Sequence, residues 1–518
     1  MITNALVTPG VYINEVNAFP NSVVQVATAI PAFIGYTPQA AYEGKSYVMK
    51  PTRITSMKDF SAFFSYPDTQ AKQYSPSYFL TKQKKAPAAG KSYSFNGDIY
   101  TLEPDPGTIY YLYNSVQMFF ENGGSVAYIV SLGPYGTATN SAINPGDEIT
   151  NMNVKLADFK SALQALKKFE DVTMYVAPES TLLSDGEYST LLEEMLLQAN
   201  NMQTFMTIVD VKGGREPDPQ LWLDDIANFR NATGNNYLKY GAAYYPYLKT
   251  TVMSIDDVDY TNINGGDVST LMDLLNPAAK PDPITAKIIN SIKAGNSLSV
   301  TQNNQALMMA SKTYAHLLAI VLEQINTLPP SGIVAGIISQ VDGDKGVWNA
   351  PANVSPVGVT DLTIQLDEED QGGLNVDAVS GKSVNAFRFF NGQGVLLWGA
   401  RTLDGNSQDW RYINVRRTVT MIEQSAKLAL RNYVFAPNVS NTWSTVKSML
   451  TNFLTNVWKE GALQGSSPDA AFQVQIGLGV TMDPQDILDG YMRATILIAV
   501  THPAEFIVLS VEQQLAKS

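Results

Sequence analysis

From Tyr110 onward the apolar positions switch between two periods. Tyr113, Val116, Phe119 and Phe120 recur at helical spacing, Gly123-Gly124 closes that helix, and Val126–Val130 follows as an unbroken apolar run of strand length. The pairing repeats. A helix around Leu156–Phe169 precedes a strand at Val172–Val176, Glu187–Asn200 precedes Thr204–Val209, and Trp222–Ala232 precedes Tyr237–Tyr245. Helices alternating with short, wholly apolar strands predict an α/β fold around a largely parallel sheet covered on both faces. A later helix ends at Pro329-Pro330, and Ile333–Ile338 behind it reads as one more strand.

The C-terminal part reads as α+β. Val395–Ala400 is a strand. In the helix that follows, Val415, Val419, Ile422, Ala426 and Ala429/Leu430 form one face, and Thr420, Gln424, Lys427 and Arg431 the other. A second helix carries Trp443, Val446, Leu450, Phe453 and Val457 and closes at Gly461; Ala494–Val500 and Phe506–Val511 are apolar strands. At the opposite end Val11–Val16 reads as a strand behind a Pro9-Gly10 turn. Both ends of the chain are thus strand-like, and unpaired strands invite aggregation unless another chain completes them. Residues 36–104, rich in Tyr, Lys, Pro and Gly with weak periodicity, read as a peripheral insertion, and the polar stretch 251–305 as a second, outward one.

Composition narrows the function. The 518 residues carry 35 Lys+Arg against 48 Asp+Glu, a net charge of −13, yet charged residues are only 16% of the chain, against about 25% in a typical globular protein. A large surface thin in charge and rich in Tyr (26 residues) suits burial against other protein and argues against nucleic acid. With no cysteine, and only His316 and His502 as histidines, thiol catalysis, disulfides and Cys-based metal sites are excluded. The start MITNALVTPG lacks the basic-then-apolar pattern of a secretory signal, and runs such as Leu317–Leu322 and Ile496–Val500 are far shorter than the ~18 residues of a membrane span. A soluble chain made in the cytosol is expected.

Several motifs nearly form. Gly90–Ser92 and Gly381–Ser383 end like phosphate loops, but Lys85 and Val376 stand where the first glycine belongs. Asn262–Gly265 hints at a calcium loop, but Tyr260 and Leu271 occupy ligand positions. Asp367–Asp370 reads as a solvated charge run, Lys82, Lys84 and Lys85 as a surface loop, and both histidines as structural. No catalytic or metal-binding constellation emerges and no cofactor is implied; the chain is expected not to be an enzyme.

One resemblance is extensive. Thr8-Pro9-Gly10-Val11-Tyr12, Ala32-Phe33-Ile34-Gly35, Phe119–Gly124, Ala177-Pro178-Glu179 and Ala242–Pro246 are followed by Pro329–Gly332 and Gly346-Val347-Trp348. Then come Asn385–Arg388, Trp398-Gly399-Ala400-Arg401-Thr402, Trp410–Arg417, Trp458–Leu463 and Pro503-Ala504-Glu505-Phe506. In this order the segments resemble contractile phage tail sheath proteins. The resemblance implies a non-enzymatic, multidomain sheath subunit that polymerises with itself as stacked six-fold rings around an inner tube protein. It implies contraction that drives the tube through a target envelope. The further partners implied are baseplate and tail-terminator or cap proteins and an assembly or recycling ATPase, without nucleic acid or membrane insertion. Assembly would occur in the bacterial cytoplasm, the product being a virion tail, a tailocin or a released extracellular injection particle.

The resemblance also implies a C-terminal domain completed by strand exchange between subunits. Its N-terminal strand would be Val11, Tyr12, Ile13, Asn14, Glu15 and Val16, with Asn17–Ser22 as the joint; its C-terminal strand would be Phe506, Ile507, Val508, Leu509, Ser510 and Val511. Lys427 and Arg431 are candidates for contact with the inner tube. The expected domains are an arm at 1–35 belonging with the C-terminal domain, the insertion 36–104, a middle α/β domain 105–365 and a C-terminal domain 366–518. The negative charge is expected largely on the insertions. The competing readings are a static tube or surface-layer polymer and an α/β hydrolase.

Overall fold

Pro31–Thr37 (β1) is the strand around which the larger part of the molecule is built. All seven of its residues are buried, and a strand with no exposed face belongs inside a sheet covered on both sides. The computed structural model describes residues 23–68 and 71–509. They fall into two bodies: a larger one of Ala27–Thr420 with the segment from His502, and a smaller one of Met421–Thr501 with the stretch up to Val26.

In the larger body β1 is followed by Thr52–Ile54 (β2), the helix Leu112–Glu121 (α1), Ala127–Pro134 (β3), Leu156–Leu166 (α2) and Met174–Val176 (β4). Asp185–Met202 (α3), Met206–Asp210 (β5), Trp222–Ala232 (α4), Gly241–Tyr245 (β6) and Ser331–Lys345 (α5) come next, then Asn385–Phe390 (β7) and Gly394–Leu397 (β8). The eight strands lie in the order β8-β7-β6-β5-β4-β1-β3-β2. The inner six are parallel, and the edge strands β8 and β2 run antiparallel to their neighbours. The register sets Phe33 beside Ile129 and Val176, and Ile208 beside Val176 and Ala242. The sheet therefore reverses its winding at β1, flanked by β3 on one side and β4 on the other.

Three expectations need correction. Ile333–Ile338 is not a strand but lies within α5, a helix buried nearly all round. An apolar run this short does not distinguish a buried strand from a buried helix. Close packing decides here: a Cβ on Gly332 would lie 2.6 Å from the Ser115 carbonyl oxygen, and one on Gly336 2.7 Å from that of Phe119, so α5 rests directly on the α1 backbone. Second, residues 31–35 are not part of an arm, because β1 is hydrogen-bonded between β3 and β4; likewise β7 and β8 belong to the larger body's sheet, so the smaller body begins at Met421 rather than 366. Third, the two insertions are not separate. The hairpin strands Tyr78–Gln83 and Asp98–Pro104 pack on the 251–305 stretch: the Leu80 amide donates to Asn264 Oδ1 (2.8 Å), Asn262 Nδ2 to the Pro76 carbonyl (2.8 Å), and Lys72 pairs with Asp259 (2.8 Å).

Ile413–Leu430 (α6) enters the smaller body at Met421. Ser440–Lys459 (α7) buries Val446, Met449, Leu450, Phe453, Leu454 and Val457, as its spacing predicts. Phe472–Ile476 (β9) and Ala494–Ile498 (β10) pair antiparallel, Phe472 opposite Ile498 and Ile476 opposite Ala494. Among the described residues this sheet has two strands, and a two-stranded ribbon is marginal without further pairing.

Candidate assembly site at the roots of the terminal segments

The segments by which the chain enters and leaves the larger body are each held by an arginine–carboxylate pair. On the entering side, Arg417 in α6 donates from Nη1 to Asp342 Oδ1 (2.7 Å) and from Nη2 to Asp342 Oδ2 (2.6 Å). The same Nη2 donates to the Thr28 carbonyl (2.7 Å), and the Thr28 hydroxyl donates to Asp342 Oδ2 (2.5 Å). Both charged side chains are 5% exposed. The fork shape of the guanidinium makes such a pair directional as well as strong. Three residues after Thr28 the backbone becomes β1.

On the leaving side, Glu505 accepts from Arg401 Nε at Oε1 (2.9 Å) and Arg401 Nη2 at Oε2 (2.6 Å). Asn375 Nδ2 donates to Oε1 (2.9 Å) and the Tyr412 hydroxyl to Oε2 (3.0 Å). Arg401 is itself fixed: its Nη1 donates to the Asn375 carbonyl (3.0 Å) and its amide to Asn385 Oδ1 (2.8 Å). Burial pushes the Glu505 carboxyl up, but the hydrogen bonds from Arg401 and Asn375 outweigh it and hold the group below its ordinary range. Next to Arg417 in the chain, Arg416 is buried and lies 4.4 Å from the Trp410 ring and 5.2 Å from that of Tyr240, with Nε donating to the Thr420 hydroxyl.

Within the smaller body the corresponding chain segments are also fastened. The Val26 amide donates to Ser425 Oγ (3.1 Å), and the Thr501 amide to the Ala462 carbonyl (3.0 Å).

Of the strand residues expected to reach a neighbour, Phe506, Ile507, Val508 and Leu509 carry no helix or strand in the single chain and are 72–88% exposed. Ser510 and Val511, like Val11–Val16 and the joint Asn17–Ser22, lie outside the described residues. Lys427 sits at an exposed position in the last turn of α6, and Arg431, also exposed, in the short turn behind it. Arg401, Tyr412, Arg417 and Glu505 all fall in segments that carry the family resemblance, but the sequence assigned them no role. The available signal was charge set among apolar neighbours, in Trp398–Thr402 and Ile413–Arg417. Asp367–Asp370, read as a charge run, begins a short helix, Asp367 and Asp370 capping one another's amides.

The family model of the phage tail sheath protein central domain matches residues 281–403, beginning inside the stretch set apart as an insertion, and that of the phage tail sheath C-terminal domain matches 406–514. The tail sheath protein of Vibrio phage KVP40 is 25% identical over 187 residues, 35% of this chain and 26% of its own length. That of Burkholderia phage BcepMu is 29% identical over 140 residues, 26% of this chain and 29% of its own. The matched stretches thus span between a quarter and a third of those curated relatives. Among solved structures, the contracted sheath of the PVC extracellular contractile injection system covers 99% of both chains at 24% identity and a TM-score of 0.58. The contracted helical sheath of the anti-feeding prophage covers 98% of this chain and 99% of its own at 23% identity and 0.59. The fold is shared end to end with these sheath subunits, and residues 281–403 and 406–514 match the central and C-terminal domains of phage tail sheath proteins.

Proposed function

We propose that this chain is the subunit of a contractile sheath, polymerising as stacked six-fold rings around an inner tube and shortening to drive the tube through a target envelope. The observation that carries this reading is the treatment of the chain ends. Each is fastened in the larger body by an ion pair, buried at Arg417–Asp342 and half-buried at Arg401–Glu505, and beyond Glu505 the chain presents four exposed apolar residues in a row. A segment so apolar and so firmly rooted suits strand addition to the open β9–β10 ribbon of another subunit. The N-terminal segment, Val11–Val16, spans about 20 Å when extended, which suffices to reach a neighbour. The work of contraction then comes from new contacts between bodies, with the exchanged strands keeping subunits connected.

The partners in this reading are further copies of the chain, an inner tube protein, baseplate and cap proteins and an assembly ATPase, in a particle assembled in the cytoplasm. Among the described residues no helix is long and apolar enough to cross a membrane. Lys427 and Arg431 are the proposed tube contact; reversing both charges is expected to impair assembly on the tube, and unchanged assembly would return them to local favourable placement at a helix C-terminus. Deleting residues 1–20 is the broader test. The truncated chain is expected to fold yet fail to form sheaths, and sheaths of normal length from it would contradict strand exchange.

A further inference from the structure

The two anchors share a feature that goes beyond sheath membership: both radiate from one short stretch, Arg401–Arg417. Arg401 and Tyr412 hold Glu505, Arg417 holds Asp342 and Thr28, and Arg416 lies against the rings of Trp410 and Tyr240. The stretch is itself tied to the large sheet through the Arg401 amide and Asn385 of β7. We propose that Arg401–Arg417 is a tether block, which fixes the exit points of both terminal segments on the larger body so that a pull on either is delivered to the same place. Arg401, Tyr412, Arg417, Asp342 and Glu505 are thus positioning residues for the terminal segments. This rests on the sheath reading for its use but on the ion pairs for its geometry.

The geometry predicts a sharp difference along the chain. Up to Glu505 the leaving segment is fixed; from Phe506 it is free to follow a partner. Likewise Thr28 is fixed on the entering side. Loss of one anchor should therefore loosen one segment without disturbing the sheet.

The chain has no cysteine, so spin labels can be placed at will. In the full chain carrying Val379→Cys and Ala504→Cys, the second label lying on the fixed side of Glu505, the interlabel distance distribution is expected to be single and narrow. Adding Glu505→Gln should at least double its width, while Glu505→Asp, which keeps the charge, should broaden it less, and circular dichroism should stay unchanged in both. An unchanged distribution in Glu505→Gln would overturn the anchor. The second readout is the assembled particle: sheaths of Glu505→Gln or Asp342→Asn are expected to form and then break into short stacks on contraction, where the parent chain stays continuous. Continuous contracted sheaths from both variants would also overturn the proposal. Should Asp342→Asn yield no soluble protein, Thr28→Val, which removes only the hydroxyl donated to Asp342, replaces it. If the parent chain forms no contractile cylinders at all, the sheath reading fails, and the label distances alone decide the anchor.

Discussion

Glu179 joins two elements, and among the described residues no ion pair holds it. It is fully buried, and its carboxyl accepts the Tyr36 amide at one oxygen (2.6 Å) and the Tyr111 and Leu112 amides at the other (3.1 Å each), tying the end of β1 to the start of α1. Gly35 is needed beside it, since a Cβ there would lie 2.6 Å from the same carboxyl. Asp210 does similar work at the start of α5, accepting the Ser331 amide and hydroxyl. Burial, prevailing over these hydrogen bonds, pushes both carboxyls up to about 7. Both groups bind a proton more readily folded than unfolded, so their contribution to stability is full below the unfolded value and is lost as pH rises through about 7. Thermal unfolding of the larger body should show lower stability at pH 8 than at pH 6, by on the order of 1 kcal/mol per group; equal stability would contradict this. Glu505 has the opposite sign: its depressed value stabilises above the unfolded range and the benefit fades in acid. Asp342→Ala should cost about 3–5 kcal/mol in denaturant unfolding, because it strands a buried guanidinium, and a loss below about 1 kcal/mol would mean Arg417 finds water or another acceptor. None of this was legible in the sequence. Arg417 and Asp342 are 75 residues apart and Arg401 and Glu505 104, and nothing local reveals that a charge is buried against so distant a partner.

Among elements, legibility followed periodicity. Trp222–Ala232 was bounded correctly, and the helices near 156, 187, 415 and 443 within a few residues, because a helical face repeats often enough to read. Strands of three to five residues were found but overextended at their starts, as at Val172 and Tyr237 against Met174 and Gly241. The run at 333–338 went to the wrong class because every face of α5 is covered, which erases the polar stripe that marks a helix. That packing is testable. Gly336→Ala would bring a Cβ to 2.7 Å from both Asn122 Cβ and the Phe119 carbonyl oxygen. It should destabilise the chain by about 1–3 kcal/mol by prising α5 from α1; a neutral effect on the unfolding midpoint would show the contact to be yielding.

For the whole molecule, the composition suggested a surface that meets protein. The expected location of the negative charge did not survive: residues 36–104 carry nine Lys or Arg against five Asp or Glu, while 251–305 carries three against six. The two stretches that pack together are thus of opposite sign, with Lys72–Asp259 one bond between them. A largely parallel, covered sheet was legible from alternating helices and strands, but not the reversal of its winding at β1. The division at Met421 was not, because α6 passes from one body to the other without a break in its pattern. The central claim is that this chain forms a polymer with two states. Electron microscopy of particles assembled on their inner tube measures it most directly: the sheath reading predicts hollow cylinders of two discrete widths, the wider ones shorter at equal subunit number. Tubes of a single width under every condition would contradict it and identify a static polymer instead.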